Sequence, residues 1–428
     1  MTDPVPLIRD GAARSDRMFW LDGGGSRSWS GSRSIIGVLE DSDVSLTYAG
    51  GVVTRHADGR SDAVGDDVFA VLADELARDH GDPHVHWVGY LGYACRPDLP
   101  ARRSADPAVP DAVWMRVRDP LLIAHEVRPV HAELAPVAPR GGAHGRARWD
   151  EWPRDVPEEY AAAFTEVQEE LHAGRTYELN LTYREAVTSG VDPVTAYLRL
   201  RDLNPAPYAG FLQHRDTWLL SSSPERYATV DRHRCIETKP IKGTTPRGAT
   251  PEEDAALSER LATDPKFRAE NLMIVDLLRN DLAMVCEPGS VEVPVLMDVE
   301  SYESVHQLVS TVRGQLRPEI STIGALRSLF PAGSMTGAPK LSTMEITDRV
   351  EFTPRGVYAG AFGWVSGDGR ADLGVVIRSL VGTRAGTGWR YELGTGGGIT
   401  VQSDVEEEYA ETRWKAERLQ RVFGEGPG

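Results

Sequence analysis

Apolar residues recur at helical spacing in three long stretches of the chain. The first stretch begins at Pro157 and ends at Gly174, and its recurring apolar residues are Tyr160, Phe164, Val167 and Leu171. The second opens with Asp264-Pro265, a favourable N-cap followed by a first-turn proline, and continues to Asp281. The third covers about Val405 to Val422. We therefore predict three long helices.

Other stretches alternate apolar and polar residues, as half-buried strands do. Tyr177 to Glu185 is the clearest of them. Further strand-like segments are Thr217–Ser221, Gly356–Val365, Leu373–Val381 and Trp389–Leu393. Because strands and long helices alternate irregularly, the pattern predicts an α+β fold rather than a doubly wound parallel sheet.

Residues 135–157 show neither period and are rich in proline, glycine and arginine. Such a composition is typical of a linker. We therefore predict a boundary there, with an N-terminal domain over residues 1–150 and a second domain over residues 151–428.

Composition narrows the possible partners and the compartment. The formal net charge of −17 argues against nucleic acid or an anionic membrane as the main partner. No apolar run approaches the roughly 18 residues of a membrane span, and the N-terminus lacks the pattern of a secretory signal. Cys95, Cys235 and Cys286 are widely spaced, as reduced thiols of the cytoplasm are. We expect a cytoplasmic protein.

A lysine with a fixed backbone is the most informative candidate for chemistry. Lys242 lies between Pro240 and the turn residues Gly243-Thr244, so its amine is aimed rather than mobile. An aimed, partly desolvated lysine can lose its proton near neutral pH and act as a nucleophile. Taken alone, the pattern is also that of an ordinary surface turn.

Further candidates have equally plain structural explanations. Glu408 and Glu411 share one face of the last helix with Lys415, as a solvated acidic face would. Other residues compatible with surface positions are Glu225 after Pro224, Glu270 on the second helix, Arg378 at a strand end, and the glycine run Gly396, Gly397 and Gly398. The residue types alone leave both interpretations open.

Taken together, the motifs resemble one family, the chorismate-utilising enzymes. In chain order they are Ser223–Arg226, the Lys242 turn, Arg268–Asp281, Gly333–Lys340, Gly394–Ile399 and Glu408–Thr412. Within the family, the chain most resembles the aminodeoxychorismate synthase component I branch, because anthranilate synthase component I typically has alanine where Lys242 stands. The resemblance implies a two-layer β-sandwich flanked by helices, like that of anthranilate synthase component I, with the active site in the C-terminal domain. It also implies a possible amino-acid pocket in the N-terminal domain near Phe19–Asp22 and Trp29–Gly31, where this chain departs from the family pattern.

The resemblance also implies roles for individual residues. Lys242 would be the nucleophile and Glu225 the general acid that helps expel the C4 hydroxyl of chorismate. Glu270 and Glu411 would bind Mg²⁺, with Glu408 in the same acidic cluster, although Phe267 stands where some relatives carry a further acid. The substrate-binding set would be Arg378, Tyr358, Ser334, Gly396, Gly397, Gly398, Lys415 and Thr244.

The implied reaction is the Mg²⁺-dependent conversion of chorismate and ammonia to 4-amino-4-deoxychorismate through a covalent lysine intermediate. The product would serve p-aminobenzoate and folate synthesis or a specialised metabolite. Ammonia would come from a separate glutamine amidotransferase subunit, because the synthase match fills the chain. Since the substrate is a dianion and the protein is acidic, the site must supply local positive charge from a cation, an arginine and backbone N–H groups.

Two positions separate this reaction from others in the family. Relatives that add water at C2 place a lysine where Glu178 stands, so the sequence argues against hydration. Anthranilate synthases typically have histidine where Gln307 stands, with His306 one position early, which favours a product that keeps the enolpyruvyl group. The alternatives are anthranilate synthase component I or another chorismate-aminating enzyme, and a non-catalytic sensor that retains the fold.

Overall fold

The computed structural model describes residues 3–25, 30, 32–104, 108–125, 155–302 and 305–424 of the 428-residue chain. Most of the predicted linker, at residues 135–154, lies outside the described residues, as do Trp29 and Gly31 of the possible amino-acid pocket. Among the described residues, none of the helices combines the length and apolar character that crossing a bilayer requires.

The described strands are β1 (Arg17–Asp22), β2 (Arg33–Val38), β3 (Ser45–Ala49), β4 (Val52–Ala57), β5 (Arg60–Gly65), β6 (Val85–Leu91), β7 (Ala112–Arg118), β8 (Leu121–Ala124), β9 (Glu178–Ser189), β10 (Tyr208–His214), β11 (Thr217–Ser223), β12 (Arg226–Val230), β13 (Cys235–Lys239), β14 (Ile241–Pro246), β15 (Glu292–Ser301), β16 (Val305–Gln315), β17 (Gly337–Ala338), β18 (Ala361–Ser366), β19 (Ala371–Val375), β20 (Ser379–Ala385) and β21 (Gly388–Ile399).

The described α-helices are α1 (Pro4–Arg14), α2 (Val68–Arg78), α3 (Glu158–His172), α4 (Pro193–Leu203), α5 (Pro251–Thr263), α6 (Pro265–Ala283), α7 (Thr322–Leu329), α8 (Gly333–Thr336), α9 (Lys340–Val350) and α10 (Val405–Gln420).

The strands form two antiparallel sheets. The nine-stranded sheet has the order β17-β9-β21-β20-β11-β10-β1-β2-β8. The twelve-stranded sheet has the order β14-β16-β13-β12-β19-β18-β6-β7-β3-β4-β5, with β15 also paired to β16. Both sheets contain strands from either side of residue 150, so the two predicted domains share both layers.

Apolar layers between the sheets and on their outer faces hold this arrangement together. Between the sheets, Phe19 of β1 and Leu219 of β11 pack in one cluster with Val88 of β6 and Phe362 of β18. A second layer packs the twelve-stranded sheet against α2, α6 and α7, and a third packs the nine-stranded sheet against α1, α4 and α10. The result is the α+β, two-layer sandwich flanked by helices that the resemblance implies.

The helix predictions are confirmed closely. The side chain of Asp264 caps α6 by accepting a hydrogen bond from the backbone N–H of Lys266, and Pro265 is the first residue of that helix. The helix predicted to begin at Pro157 is α3, for which Pro157 is the N-cap residue, and the last predicted helix is α10. Apolar periodicity and capping were sufficient because these helices bury one face and begin with strong local signals.

Two strand predictions were wrong in their extent. The stretch Leu373–Val381 is not one strand but parts of β19 and β20, which belong to different sheets. Between them Arg378 has φ 51°, a left-handed conformation that breaks the extended chain. The strand predicted from Gly356 begins only at Ala361, because Gly356 also has a positive φ, of 56°.

Candidate active site

One pocket gathers most of the predicted site residues. It receives residues from both sheets and from α6, α8 and α10, and its cavity volume is about 130 Å³. The predicted residues that line it are Glu225, Lys242, Thr244, Glu270, Ser334, Tyr358, Arg378, Gly396, Gly398, Glu411 and Lys415. Gly397 and Glu408 are not part of this lining.

Lys242 lies on β14, and its buried amine reaches across to the other sheet. Nζ forms an ion pair with Oε1 of Glu178 on β9. Burial by itself lowers the pKa of Lys242, as the sequence argument requires, but Glu178 and then Glu270 outweigh it and the pKa is raised. Glu178 therefore favours the ammonium form of Lys242 in the resting site, whereas a nucleophile needs the free amine.

Glu225 follows β11 and Pro224 and is buried beside the end of α8. The hydroxyl of Ser334 donates a hydrogen bond to its Oε1 at 2.5 Å. Burial raises the pKa of Glu225 to about 7, against the opposing effects of Ser334 and Lys242. The carboxyl is thus close to half protonated at neutral pH, which is the condition for a general acid.

Arg378 supplies positive charge to one side of the pocket, and Tyr358 lies on the same side. The left-handed backbone of Arg378 lies where the chain passes from one sheet to the other, and its side chain is partly buried. Burial and the neighbouring Arg418 lower the pKa of Arg378 to about 10, so it stays charged at neutral pH. The Tyr358 ring packs over Gly394, where an added Cβ would lie 2.2 Å from Cγ of the ring. A partly buried guanidinium beside a phenol is a favourable place for a carboxylate.

The glycine run lies within a strand rather than in a flexible turn. Gly396, Gly397 and Gly398 pair with Thr182, Leu181 and Asn180 of β9. On the other edge of β21, the described pairing with β20 ends at Leu393. Alternate backbone groups beyond Leu393 therefore face the pocket instead of a neighbouring strand.

The acidic residues do not all meet at one point. Burial raises the pKa of Glu270 to about 7, with Lys242 and Lys266 opposing and Glu178 and Glu408 reinforcing the rise. The pKa of Glu411 is lowered by the Lys415 ammonium, whose Nζ lies 2.6 Å from Glu411 Oε1. Lys415 also donates to the carbonyl of Gly396 at 2.9 Å.

Glu408 lies beside these acidic residues but is not part of the pocket lining. It is buried behind Gly397, where an added Cβ would lie 3.1 Å from Glu408 Oε2. Lys266 Nζ lies 2.9 Å from Glu408 Oε1, and Ser403 donates to the same oxygen at 2.7 Å. Within the described part of the chain, no three His, Cys, Asp or Glu residues gather closely enough to hold a metal ion. Glu270 and Glu411 share the pocket, but Glu408 does not join them there.

Three neighbours of the predicted set were not assigned roles from the sequence. Glu178 and Asn180 are two apart on β9 and so share a face, which strand alternation could have revealed. Lys266 is one helical turn before Glu270 on α6, a spacing that brings opposite charges together. Their contacts could not be predicted from the sequence, because Lys242 and Glu408, the ion-pair partners of Glu178 and Lys266, come from distant segments of the chain.

The histidine shift near Leu308 has a clear structural outcome. Successive residues of a strand point to opposite sides, and on β16 it is Gln307 that lines the pocket. His306 is turned away, with Nε2 2.9 Å from Asp254 Oδ1 and Nδ1 2.8 Å from Ser301 Oγ. The local structure does not bring His306 into the place of Gln307, so an amide rather than an imidazole faces the pocket.

Comparisons with known proteins agree with this architecture. A Streptomyces griseus protein named aminodeoxychorismate synthase is 40% identical, with the match covering 95% of this chain and 61% of that relative. The chain thus spans less than two thirds of that relative's length. Aminodeoxychorismate synthase component 1 of Klebsiella aerogenes is 38% identical, covering 79% of this chain and 78% of the relative.

The fold also matches a solved structure. Anthranilate synthase component I from Streptococcus pneumoniae superimposes with a TM-score of 0.75 at 25% identity, covering 92% of this chain and 93% of that one. The fold inferred from the resemblance is therefore confirmed. A family model described as chorismate binding enzyme matches residues 48–421, most of the chain. This chain belongs to the chorismate binding enzyme family.

Proposed function

We propose that this chain converts chorismate and ammonia to 4-amino-4-deoxychorismate and keeps the enolpyruvyl group on the product. The observation that carries the proposal is the placement of a lysine amine and a protonatable carboxyl in one pocket, Lys242 and Glu225. An amine supplies a nucleophile and a carboxyl near neutrality supplies an acid. The names of the similar proteins from Streptomyces and Klebsiella support the same reaction.

In the first step, the amine of Lys242 attacks C2 of chorismate. The ring diene shifts from C1=C2 and C5=C6 to C1=C6 and C4=C5, the C4–O bond breaks, and Glu225 protonates the departing hydroxyl to give water. Hydroxide is a poor leaving group, so this proton is needed in the transition state. In the second step, ammonia adds at C4, the diene shifts back to C1=C2 and C5=C6, and the C2–N bond to Lys242 breaks. The new ammonium at C4 returns one proton to Glu225.

The substrate's two carboxylates require positive charge inside an acidic protein. Arg378 and Tyr358 would hold the enolpyruvyl carboxylate, because a guanidinium fork matches a carboxylate. The backbone of Gly396 and Gly398 would face the ring carboxylate, with Lys415 beside Gly396. Ser334 and Thr244 line the same space and would contribute hydroxyl groups.

The acidic pair Glu270 and Glu411 fits a Mg²⁺ ion. Mg²⁺ is commonly held by one or two carboxylates, with water and substrate oxygens completing its shell. The raised pKa of Glu270 reflects a buried carboxylate among like charges, which a divalent cation would relieve. When bound, the ion would neutralise the ring carboxylate. Glu408 would not bind the ion, and would instead hold the Lys266 ammonium by an ion pair.

The ammonia would be supplied by a separate subunit, a glutamine amidotransferase. The Klebsiella relative is named as component 1, which implies a second component for that protein.

Retention of the enolpyruvyl group is supported by Gln307, which lines the pocket. Anthranilate synthases typically have histidine at this position.

The decisive test uses purified protein with chorismate, Mg²⁺ and ammonium, with products identified by mass spectrometry. We expect 4-amino-4-deoxychorismate from the wild type and none from Lys242→Ala. With chorismate and Mg²⁺ but no ammonium, the wild-type peptide carrying Lys242 should gain the mass of the dehydrated substrate. Lys242→Arg, which keeps the charge but is a poor nucleophile, serves as the matched control and should form no adduct.

Two results would reject the proposal. Wild-type turnover by Lys242→Ala would remove the covalent role of the lysine. A fluorescent anthranilate product with release of pyruvate would assign the chain to the other aminating reaction.

A further inference from the structure

We propose that Glu178 is the proton acceptor that converts the Lys242 ammonium to the amine that attacks chorismate. The inference rests on the proposed function and assigns a residue to a step that the proposed reaction leaves open. Because it acts through Lys242, Glu178 is a positioning and proton-accepting residue rather than one that touches the reacting carbon.

The ion pair between these two residues is deeply buried. Glu178 is 1% exposed and Lys242 is 8% exposed, and Nζ of the lysine bonds directly to Oε1 of the glutamate. The second oxygen, Oε2, is buried and has no hydrogen-bond partner among the described residues. Without a partner at Oε2, the charge of the carboxylate lacks a second hydrogen bond, which favours transfer of the Lys242 proton to Oε1.

The glycine run shapes the space in which the pair sits. A Cβ built on Gly398 would lie 2.5 Å from Glu178 Oε1 and 3.2 Å from Lys242 Nζ. Gly398 pairs with Asn180, two residues after Glu178 on the neighbouring strand. The pair is therefore confined by backbone on this side.

Three carboxylates act on the Lys242 amine, from three different elements. They are Glu178 on β9, Glu270 on α6 and Glu225 after β11. Glu225 is engaged by Ser334 and must carry its own proton for the leaving hydroxyl. Glu178 is the carboxylate that accepts a hydrogen bond from Nζ, so it is the one placed to take the proton.

The proton that Lys242 loses before the attack stays within the ion pair, on Glu178. The Lys242 ammonium gives one proton to Glu178, which becomes a neutral carboxylic acid, and the lysine becomes a neutral amine. The amine forms its bond to C2 while the C4–O bond breaks with the proton of Glu225. When ammonia displaces the lysine, the amine regains its proton from Glu178.

The test is the rate of adduct formation after mixing with chorismate and saturating Mg²⁺ in the absence of ammonium. For Glu178→Gln, which keeps the shape but not the basicity, we expect the rate at pH 7 to fall about 100-fold, a typical contribution of one acid–base group. In this variant Glu270 and Glu225 still favour the ammonium form of Lys242, and the lysine must lose its proton to solvent. The deficit relative to wild type at the same pH should therefore shrink by about tenfold for each unit of rising pH. Glu178→Asp should restore part of the rate.

The controls separate the possible outcomes. Chorismate affinity and the thermal unfolding midpoint are measured for each variant, so that a binding or folding defect is recognised. A Glu178→Gln deficit that is constant from pH 6 to 9, or a wild-type rate in that variant, would overturn the role of Glu178 while leaving the proposed function intact. Absence of any adduct in the wild type would overturn both.

Discussion

At the level of single residues, the pocket shows how burial and neighbouring charges compete. Burial disfavours charge on both Lys242 and Glu225, but the lysine has carboxylates around it and the glutamate has few compensating partners. The pKa of the lysine is therefore raised, and that of the glutamate rises to about 7. The site thus holds a charged nucleophile and a half-protonated acid, which is why a proton acceptor for the lysine is needed.

The raised pKa of Glu225 predicts a pH limit on the chemical step. The acid form is required and is lost as pH rises through about 7, so adduct formation should fall about tenfold per unit above that value. The rate is measured with chorismate and no ammonium, because the supply of neutral ammonia itself changes with pH. Glu225→Gln should be slower by about 100-fold or more and should lack this limb. A wild-type rate that stays constant from pH 6 to 9 would contradict the role of Glu225 as acid.

At the level of elements, sequence reasoning located the helices and the motifs but not the way in which strands bring them together. Caps and apolar periods are local, so α3, α6 and α10 were predictable. The break at Arg378 and the position of the glycine run within β21 depend on pairing with distant strands. For the same reason, Glu178 could be recognised as unlike its counterparts in relatives but not as the partner of Lys242.

The glycine run offers a test at the element level, because its members face different neighbours. Gly398→Ala would place a methyl group against the Glu178–Lys242 pair, at 2.5 Å and 3.2 Å from their polar atoms. We expect amination to fall about 100-fold or more, as expected when a catalytic group is displaced by about 1 Å. Gly397→Ala is the matched control, since its methyl group would meet only Glu408 Oε2 at 3.1 Å. It should retain most activity, with both variants folded by circular dichroism. Equal losses would show that the strand tolerates no side chain rather than that the ion pair is displaced.

At the level of the whole molecule, the two sheets are joined by a polar contact as well as by the apolar layer. His56 on β4 and His214 on β10 come from different sheets, and their ring centroids are 5.7 Å apart. Arg215 donates to Nδ1 of His56 at 3.2 Å, and His214 Nε2 lies 3.0 Å from Ser45 Oγ. Burial, followed by nearby positive charge, lowers the pKa of His56 to about 4 and that of His214 to about 3. Both rings are therefore neutral in the folded protein at neutral pH.

This histidine pair predicts acid sensitivity of the fold. A histidine in the unfolded chain has a pKa near 6.5. Below that pH the unfolded chain therefore binds protons at these two histidines, whereas the folded chain does not. The stability that neutral His214 confers is present above pH 6.5 and is lost as pH falls toward the folded value of about 3. The expected slope of the unfolding free energy against pH for this residue is about 1.4 kcal/mol per pH unit.

We would measure urea unfolding at pH 7, 6 and 5 for the wild type, for His214→Gln and for His172→Gln, which changes an exposed histidine. Carboxylates contribute to the acid dependence of all three proteins, so the difference between variants isolates the histidine. The slope should be shallower in His214→Gln alone. Parallel slopes would mean that His214 takes up its proton in the folded state without separating the sheets.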